Sequence, residues 1–540
     1  AIMVPVFSPN FWELWDSKIY AIYQASTPDI FSTPEKTKEA LDNNDIKYYA
    51  EGTNSIISSV QSGDALFFIT NGRVEASNAN GDRQVQYTLG HLPMLLHPNP
   101  KKVFVLGTGS GMTLGATSVH PSVKQIILAE IEPKVLGVAK SFGVYNHYVL
   151  NKANPKLKIV FNDGRNFLMT TREKFDVITA DPVHPWFSGA GYLYTTEYFK
   201  IAADHLNPRG IICQWLPLYE LTEENLQSVV KSLRQNFKYT MIWLTYYDAV
   251  LIGSNSAIII DEKELESRIK EPEVMRDLEQ VKMGSAGDFL SYFIMGTDGT
   301  KSYSEQGIVN TDDNLYLEFS APHSIGKQRL TATNILGLIK HRESILPYLR
   351  LSDNESEREK QINRWEQNQK AAVIYDKAHV LNQAGYGETP EYTILMQELE
   401  SKFPEYAPNK FLQNEYEDMP GRFAGTPKLL KQVVLEIINK KGEPVKLQFS
   451  AVLLRKNKEK ARVYFVDNAS HFVFGKLRVK GANKDPLISR FVEDLTKAAE
   501  DIYTQQRTQA VASGHNSPQE MTLFPEIKRL VELKIDQTNM

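Results

Sequence analysis

Residues Lys101–Gly111 read KKVFVLGTGSG, an apolar run that empties into three glycines at Gly107, Gly109 and Gly111. A short run of this kind bounded by glycine is a buried strand ending in a tight turn. Without a Cβ, those glycines let a ligand approach the backbone. The Gly-x-Gly-x-Gly pattern by itself fits a plain strand-to-helix turn equally well. The residues beyond the glycines decide the fold. TLGATSVHP (113–121) is a short helix, VKQIILAEIEP (123–133) a strand and KVLGVAKSFGVY (134–145) a helix. LKIVFNDGRNFL (157–168) and FDVITADP (175–182) are strands, then a helix from about Thr196 to Leu206 precedes a fifth strand, GIICQWLPLY (210–219). Strands alternating with helices predict an α/β fold built on a parallel, doubly wound sheet.

Three of these strands end in acids: Glu130, with Glu132 close behind, then Asp163 beside Gly164, then Asp181. In an open parallel sheet the carboxyl ends face one crevice, where ligands bind. An acid about twenty residues past the glycines is suited to ribose hydroxyls. Each acid alone is a common turn former, but three in register predict a nucleoside site.

Outward from this core, residues 1–100 form a β-rich lead-in. SIISSVQ and ALFFITNGRVEAS are strands, with an Asn71–Gly72 hairpin turn, and a helix comes next, from about Gln84 to Leu96. The sheet domain runs over 101–325. Residues 330–424 are polar and helical, either tetratricopeptide-type hairpins or a generic bundle. Residues 425–540 carry the strands VKLQFSAVLLRK, ARVYFVDN and HFVFGKLRVKG, then a helix from about Leu487 to Gln505, as a small α+β domain. This last region has 20 Lys and Arg against 13 Asp and Glu. A solvated surface explains that excess at least as well as an anionic partner does.

Over 540 residues, two to four domains are expected. The 65 acidic and 61 basic residues nearly balance, which gives no argument for a nucleic-acid partner. A single cysteine, Cys213, excludes an internal disulfide framework and fits a reducing compartment. No run approaches the about 18 apolar residues of a spanning helix, and AIMVPVFSPNFWELW lacks the basic start of a signal peptide. The expected location is cytoplasmic. His91, His97, His120 and His184 show no spacing that suits a metal, so no metal is expected.

The runs HPNPKKVFVLGTGSG, HPSVKQIILAEIEPKVLGVAKSF, FNDGRNFL and FDVITADP…LYTTEYF resemble the spermidine synthase (polyamine aminopropyltransferase) family, from about Thr53 to Leu244. WDSKIY, CQWLPLY and NTDDNLYLEF are most similar to large bacterial members often fused to a transporter-like membrane domain, which extends the resemblance to about Pro322. It implies a class I S-adenosylmethionine-dependent methyltransferase-like fold, a homodimer, and a chain tethered to a membrane domain as the alternative location. It implies decarboxylated S-adenosylmethionine or S-adenosylmethionine as donor and a small-molecule amine as acceptor. Carried over by position, Glu130 holds the ribose hydroxyls, Asp163 and Gly164 face the adenine, and Asn54 stands where the family has a glutamine on the nucleoside. Asp181 matches the catalytic aspartate. It would take the proton of an amine that attacks the carbon next to the sulfonium, since an amine with a pKa of about 10 is unreactive while protonated.

Several positions depart from the family. Ser110 replaces an aspartate that faces the aminopropyl end of the donor, and His184 replaces a second aspartate on the polyamine. Val85, Gln86 and Tyr87 replace the Tyr-His/Gln-Glu triplet. His184 reads either as a neutral base or acceptor contact, or as a ring packed on Trp186. Gln86, Tyr194 and Gln214 are acceptor-side candidates. Asp312 and Asp313 would restore negative charge if their segment folds over the crevice, and otherwise form a capped turn. Because Ser110 tolerates the carboxylate of intact S-adenosylmethionine, methyl transfer competes with aminopropyl transfer. A third reading is a scaffold that binds a protein partner through residues 330–540 around a vestigial nucleoside site.

Overall fold

Eight strands make the central sheet in a computed structural model of the chain. The structure describes residues 17–22, 32–53, 55–327, 329–387 and 389–418, and the strands 428–438, 444–455, 460–467 and 473–480. Ahead of the large sheet, β1 (Asp45–Glu51), β2 (Ile56–Ser62), β3 (Ala65–Thr70) and β4 (Arg73–Ser77) form an antiparallel meander. Asn71 and Gly72 turn the last hairpin with φ of 50° and 77°, as the Asn-Gly pair predicts. The next helix spans Asn80–Leu96, one turn earlier than its apolar pattern suggests.

Within the large sheet, parallel pairing joins β5 (Lys102–Leu106), β6 (Gln125–Glu130), β7 (Leu157–Phe161), β8 (Phe175–Ala180) and β9 (Leu206–Pro217). The sheet is extended by β10 (Tyr239–Leu244), β11 (Asp248–Ser254) and β12 (Phe293–Met295), all antiparallel. The βα alternation does not announce these three, because an antiparallel extension needs no crossover helix. Across the sheet the order is β12-β10-β11-β9-β8-β5-β6-β7. β5 has β6 on one side and β8 on the other, so the chain reverses its winding beside the glycine loop. Crevices form at such a switch point.

The core explains why these runs are strands. Val103, Val105, Ile126, Leu128 and Val177 are buried against Met94, Leu114, Val123 and Val149, from segments on the sheet's flanks. With both faces covered, the strands are apolar throughout rather than alternating.

By contact density the chain divides into two units. One comprises Ala1–Ala372 with Tyr406–Phe411, the other Val373–Glu405 with Leu412–Met540. Beyond the large sheet lie helices Leu330–Ile339, Glu355–Leu381, Pro390–Lys402 and Ala407–Asp418. β13 (Lys428–Ile438), β14 (Pro444–Arg455), β15 (Lys460–Asp467) and β16 (Val473–Lys480) form a second antiparallel meander. The sequence pattern locates the last three of these strands, and the helix it suggests at 487–505 lies outside the described residues. Among the described residues no helix is long and apolar enough to cross a membrane.

Candidate active site

A cavity of about 270 Å³ opens at the carboxyl ends of β5, β6 and β8. One end of it is built by the glycine loop. Gly107, Gly109 and Gly111 have φ of 82°, 50° and 79°, a region that side chains with a Cβ resist. The loop is clamped to the next strand: Thr108 N donates to Glu130 Oε2 (2.8 Å) and Glu132 N to Glu130 Oε1 (2.9 Å). Burial raises the Glu130 carboxyl above its ordinary range, and those N–H groups oppose the rise. Asp163 caps the Gly164–Thr170 helix, its Oδ1 accepting from Asn166 N at 2.7 Å. A Cβ on Gly164 would sit 2.6 Å from Leu106 Cγ, so this position admits no side chain.

Ser110 is buried. Its hydroxyl donates to Gln86 Oε1 and accepts from Met112 N (3.2 Å), which ties the glycine loop to the Asn80–Leu96 helix. Asn146, also buried, donates from Nδ2 to Ser110 O (2.9 Å) and Ala139 O (2.6 Å). It braces the loop from below.

The other end of the cavity is acidic. Asp181 stands where β8 ends. Its carboxyl is pushed up to about 7, first by burial and then by the charges of Asp82 and Glu75. Asp82 accepts from the hydroxyls of Ser77 and Tyr247. Burial raises its pKa against those two bonds. Asp248 accepts from Trp215 Nε1 at 3.0 Å, and burial followed by the Asp82 charge raises it well above the carboxylate range. Glu75 comes from β4. Four carboxylates thus line one end of a single cavity, with Trp215, Tyr219 and Tyr247 among its walls.

His184 lines the cavity at 3 % exposure. Both of its sequence readings have a counterpart: its ring lies 4.5 Å from that of Trp186, and it faces the acids. Nε2 is 3.2 Å from Tyr219 Oη, and Nδ1 is 3.3 Å from Glu75 Oε2.

Of the residues expected from sequence, the cavity gathers Gly107, Gly109, Ser110, Gln86, Glu130, Asp163, Gly164, Asp181 and His184. Gly111, Tyr194, Gln214, Asp312 and Asp313 lie outside its lining. Gly111 begins the helix behind the loop, where a Cβ would meet Asn146 Nδ2 at 2.8 Å. Tyr194 is buried, with its hydroxyl 3.5 Å from Val183 O. Gln214 is buried in β9, in register with Ala180. Asp313 is exposed. Asn54 is outside the described residues.

The charge expected of Asp312 goes elsewhere. Arg165 takes both of its oxygens, Thr195 Oγ1 donates to Oδ1 (2.8 Å), and Arg165 also reaches Tyr192 O (3.0 Å). Burial works to raise its pKa, yet the Arg165 and Thr195 bonds and the Arg165 charge hold it below the usual range. Glu318, from the same segment, accepts from Gly189 N (3.1 Å) and Gly191 N (3.2 Å). NTDDNLYLEF therefore anchors the loop after Asp181 instead of entering the crevice.

Glu75, Asp82, Tyr219, Tyr247 and Asp248 are missed by sequence reasoning. One signal was available for Asp82, which precedes Gln86 by one helical turn and so shares its face. The histidines set aside as metal ligands have a structural task. His91 Nδ1 meets His120 Nε2 (3.0 Å), and Asp277 Oδ2 meets both His91 Nε2 (3.2 Å) and His147 Nε2 (2.6 Å). Among the described residues no group of three or more His, Cys, Asp or Glu is arranged to hold a metal ion.

Residues 83–266 match the sequence profile described as "Spermine/spermidine synthase domain". The chain is 30 % identical over 195 residues to a spermidine synthase of Schizosaccharomyces pombe, covering 34 % of this chain and 62 % of that protein. It is 31 % identical over 160 residues to a polyamine aminopropyltransferase of Thermotoga neapolitana, covering 29 % and 53 %. The chain thus spans between about half and two thirds of the length of these curated relatives. Among solved structures it is similar to spermidine synthase from Thermotoga maritima, at 21 % identity and a TM-score of 0.39 over 48 % of this chain and 87 % of that one. The fold assignment rests on the strand order and not on that score. The sequence resemblance is borne out by the profile and by the curated relatives.

Proposed function

We propose, from the match of residues 83–266 to a spermine/spermidine synthase domain and from the cavity those residues line together with the preceding meander, that this chain transfers an aminopropyl group from decarboxylated S-adenosylmethionine to an amine. One observation carries the proposal. The cavity joins an end with Glu130, Asp163 and a glycine loop to an end lined by four carboxyl groups, and Asp181 is among the four. Burial raises the pKa of three of the four, so they hold protons that a cationic occupant would displace.

In this reading Glu130 accepts from the ribose hydroxyls and Asp163 with Gly164 borders the adenine. The sulfonium is directed toward Asp181. The acceptor nitrogen attacks the methylene next to sulfur, the C–S bond breaks with its electron pair going to sulfur, and a neutral thioether leaves. The nitrogen's proton passes to Asp181 and then to solvent. A carboxyl pushed up to about 7 is a better proton acceptor than an exposed aspartate and is largely ionised above neutral pH. The sulfonium and the ammonium both draw that value down, so arrival of the substrates readies the base. The rest of the rate enhancement is positioning of two bound reactants.

The test is release of 5′-methylthioadenosine when purified protein, decarboxylated S-adenosylmethionine and a panel of amines are combined. Turnover with any amine is the expected result. Release of S-adenosylhomocysteine from S-adenosylmethionine, with none of the thioether from the decarboxylated donor, would instead make the reaction methyl transfer. Failure of both donors to bind in calorimetry would rule out both reactions.

A further inference from the structure

We infer that Glu75 is the seat of the acceptor's second, non-reacting ammonium, and that His184 is a built-in counter-ion which releases Glu75 when a diamine binds. The inference rests on aminopropyl transfer being the reaction at this site.

The four carboxylates at the acceptor end are not equivalent. Asp82 is occupied by two hydroxyl donors and Asp248 by the indole N–H of Trp215. Asp181 is reserved for the reacting nitrogen. Glu75 differs from all three: among the described residues the basic side chain within ion-pair distance of it is His184, whose Nδ1 lies 3.3 Å from Oε2. The side chains are only 9 % and 4 % exposed, so neither can rely on water. Yet His184 Nδ1 is buried and makes no hydrogen bond, so the two atoms are close enough to attract but misaligned for bonding. A buried donor left unmade is costly and is often completed by a ligand.

The surroundings fit a mobile charge. The imidazole is enclosed by aromatic rings, with centroids of Trp186, Trp215 and Tyr219 at 4.5, 5.1 and 5.7 Å, walls that suit a protonated ring or an alkylammonium. The charged and titratable groups around it are Glu75 and Arg73 from β4, Asp82 from the Asn80–Leu96 helix, Asp181 just after β8, Tyr219 just after β9, Tyr247 just before β11, and Asp248 at its start. Arg73 does not compete for Glu75. It pairs with Glu220 and lies 4.9 Å over the Trp186 ring. In the proposed exchange, the charge that balances Glu75 before a diamine arrives is a proton on His184. A diamine that places its far ammonium on Glu75 makes that proton redundant, and it leaves to solvent. A monoamine does not.

The experiment is calorimetric titration of 1,4-diaminobutane and of butylamine into the wild-type protein saturated with 5′-methylthioadenosine, in two buffers of different ionisation enthalpy at one pH. Both amines present the same reacting end, so the difference between them reports the far end alone. The diamine is expected to bind at least about 30-fold more tightly and to release more protons than butylamine. Glu75→Gln should abolish both differences, so that the two amines bind alike and release the same number of protons. His184→Gln should keep the preference for the diamine but lose the extra proton. Equal affinity for the two amines in the wild type, or an intact diamine preference in Glu75→Gln, overturns the inference. An undiminished extra proton in His184→Gln overturns the role of the histidine. The parent reading is checked separately: thioether release with saturating amine, despite equal amine affinities, sinks this inference and leaves aminopropyl transfer standing. Absence of thioether release with every amine sinks both.

Discussion

Replacing Asp181 by asparagine separates the cost of holding this carboxylate in the fold from its use in catalysis. Its carboxyl titrates at about 7 in the folded chain against 3.8 for an ordinary aspartate. Between those values the folded state keeps a proton that the unfolded state has released. Stability is therefore highest below about 4 and is lost as pH rises through about 7. At about 1.4 kcal/mol per unit, the wild type loses roughly 1.5 kcal/mol by pH 5 and about 4 kcal/mol by pH 8.5. The carboxylate borders a solvent-accessible cavity, so half of each figure, about 2 kcal/mol at pH 8.5 and under about 1 kcal/mol at pH 5, is the sounder expectation. Asp181→Asn cannot ionise and does not suffer this loss. In calorimetric melts without ligand the variant should therefore exceed the wild type in stability at pH 8.5 by more than it does at pH 5. In the thioether-release assay it should lose about a thousandfold in turnover, while donor affinity stays near that of the wild type. A variant destabilised equally at both pH values would refute the buried-charge argument. A variant with turnover near that of the wild type would refute Asp181 as the base.

Asn146→Ala removes the amide that supports Ser110 O and should weaken donor binding in calorimetry by about tenfold, with turnover at saturating donor much less affected. Arg165→Ala frees Asp312 and Tyr192 O, and should speed proteolytic cleavage within residues 183–194 while leaving donor affinity unchanged. Cys213 is buried in β9 and its thiol is pushed far up by burial, so a thiol reagent should label it only after denaturation. Prompt labelling of the native protein would contradict the packing of that strand.

Legibility from sequence tracked the range of the interactions involved. The strand-to-glycine run at Lys101–Gly111 and the acids closing β6, β7 and β8 are local patterns, and a parallel sheet sends every such strand end to the same edge. Glu130, Asp163 and Asp181 can therefore be placed together from the sequence alone. The substitutions at Ser110 and His184 are equally plain, and on their own they suggest an acceptor pocket stripped of negative charge. Tertiary structure reverses that impression. Glu75 and Asp82 arrive from the small meander and the helix after it, and Asp248 from an antiparallel strand beyond the βα repeat. No spacing rule links them to Asp181.

The opposite error concerns Asp312. A carboxylate near the crevice looks like replacement charge, but Arg165, one residue past Gly164, claims both of its oxygens. An ion pair between distant segments is a choice among several partners, made only when the chain has packed. The sequence by itself thus determined the doubly wound core and the glycine-loop end of the cavity, because hydrophobic period and turn chemistry act over a few residues. Which acids line the cavity, and which are spent holding the loop after Asp181, was decided by long-range packing, since charge and hydrogen-bond pairing depend on distances that only the folded chain defines.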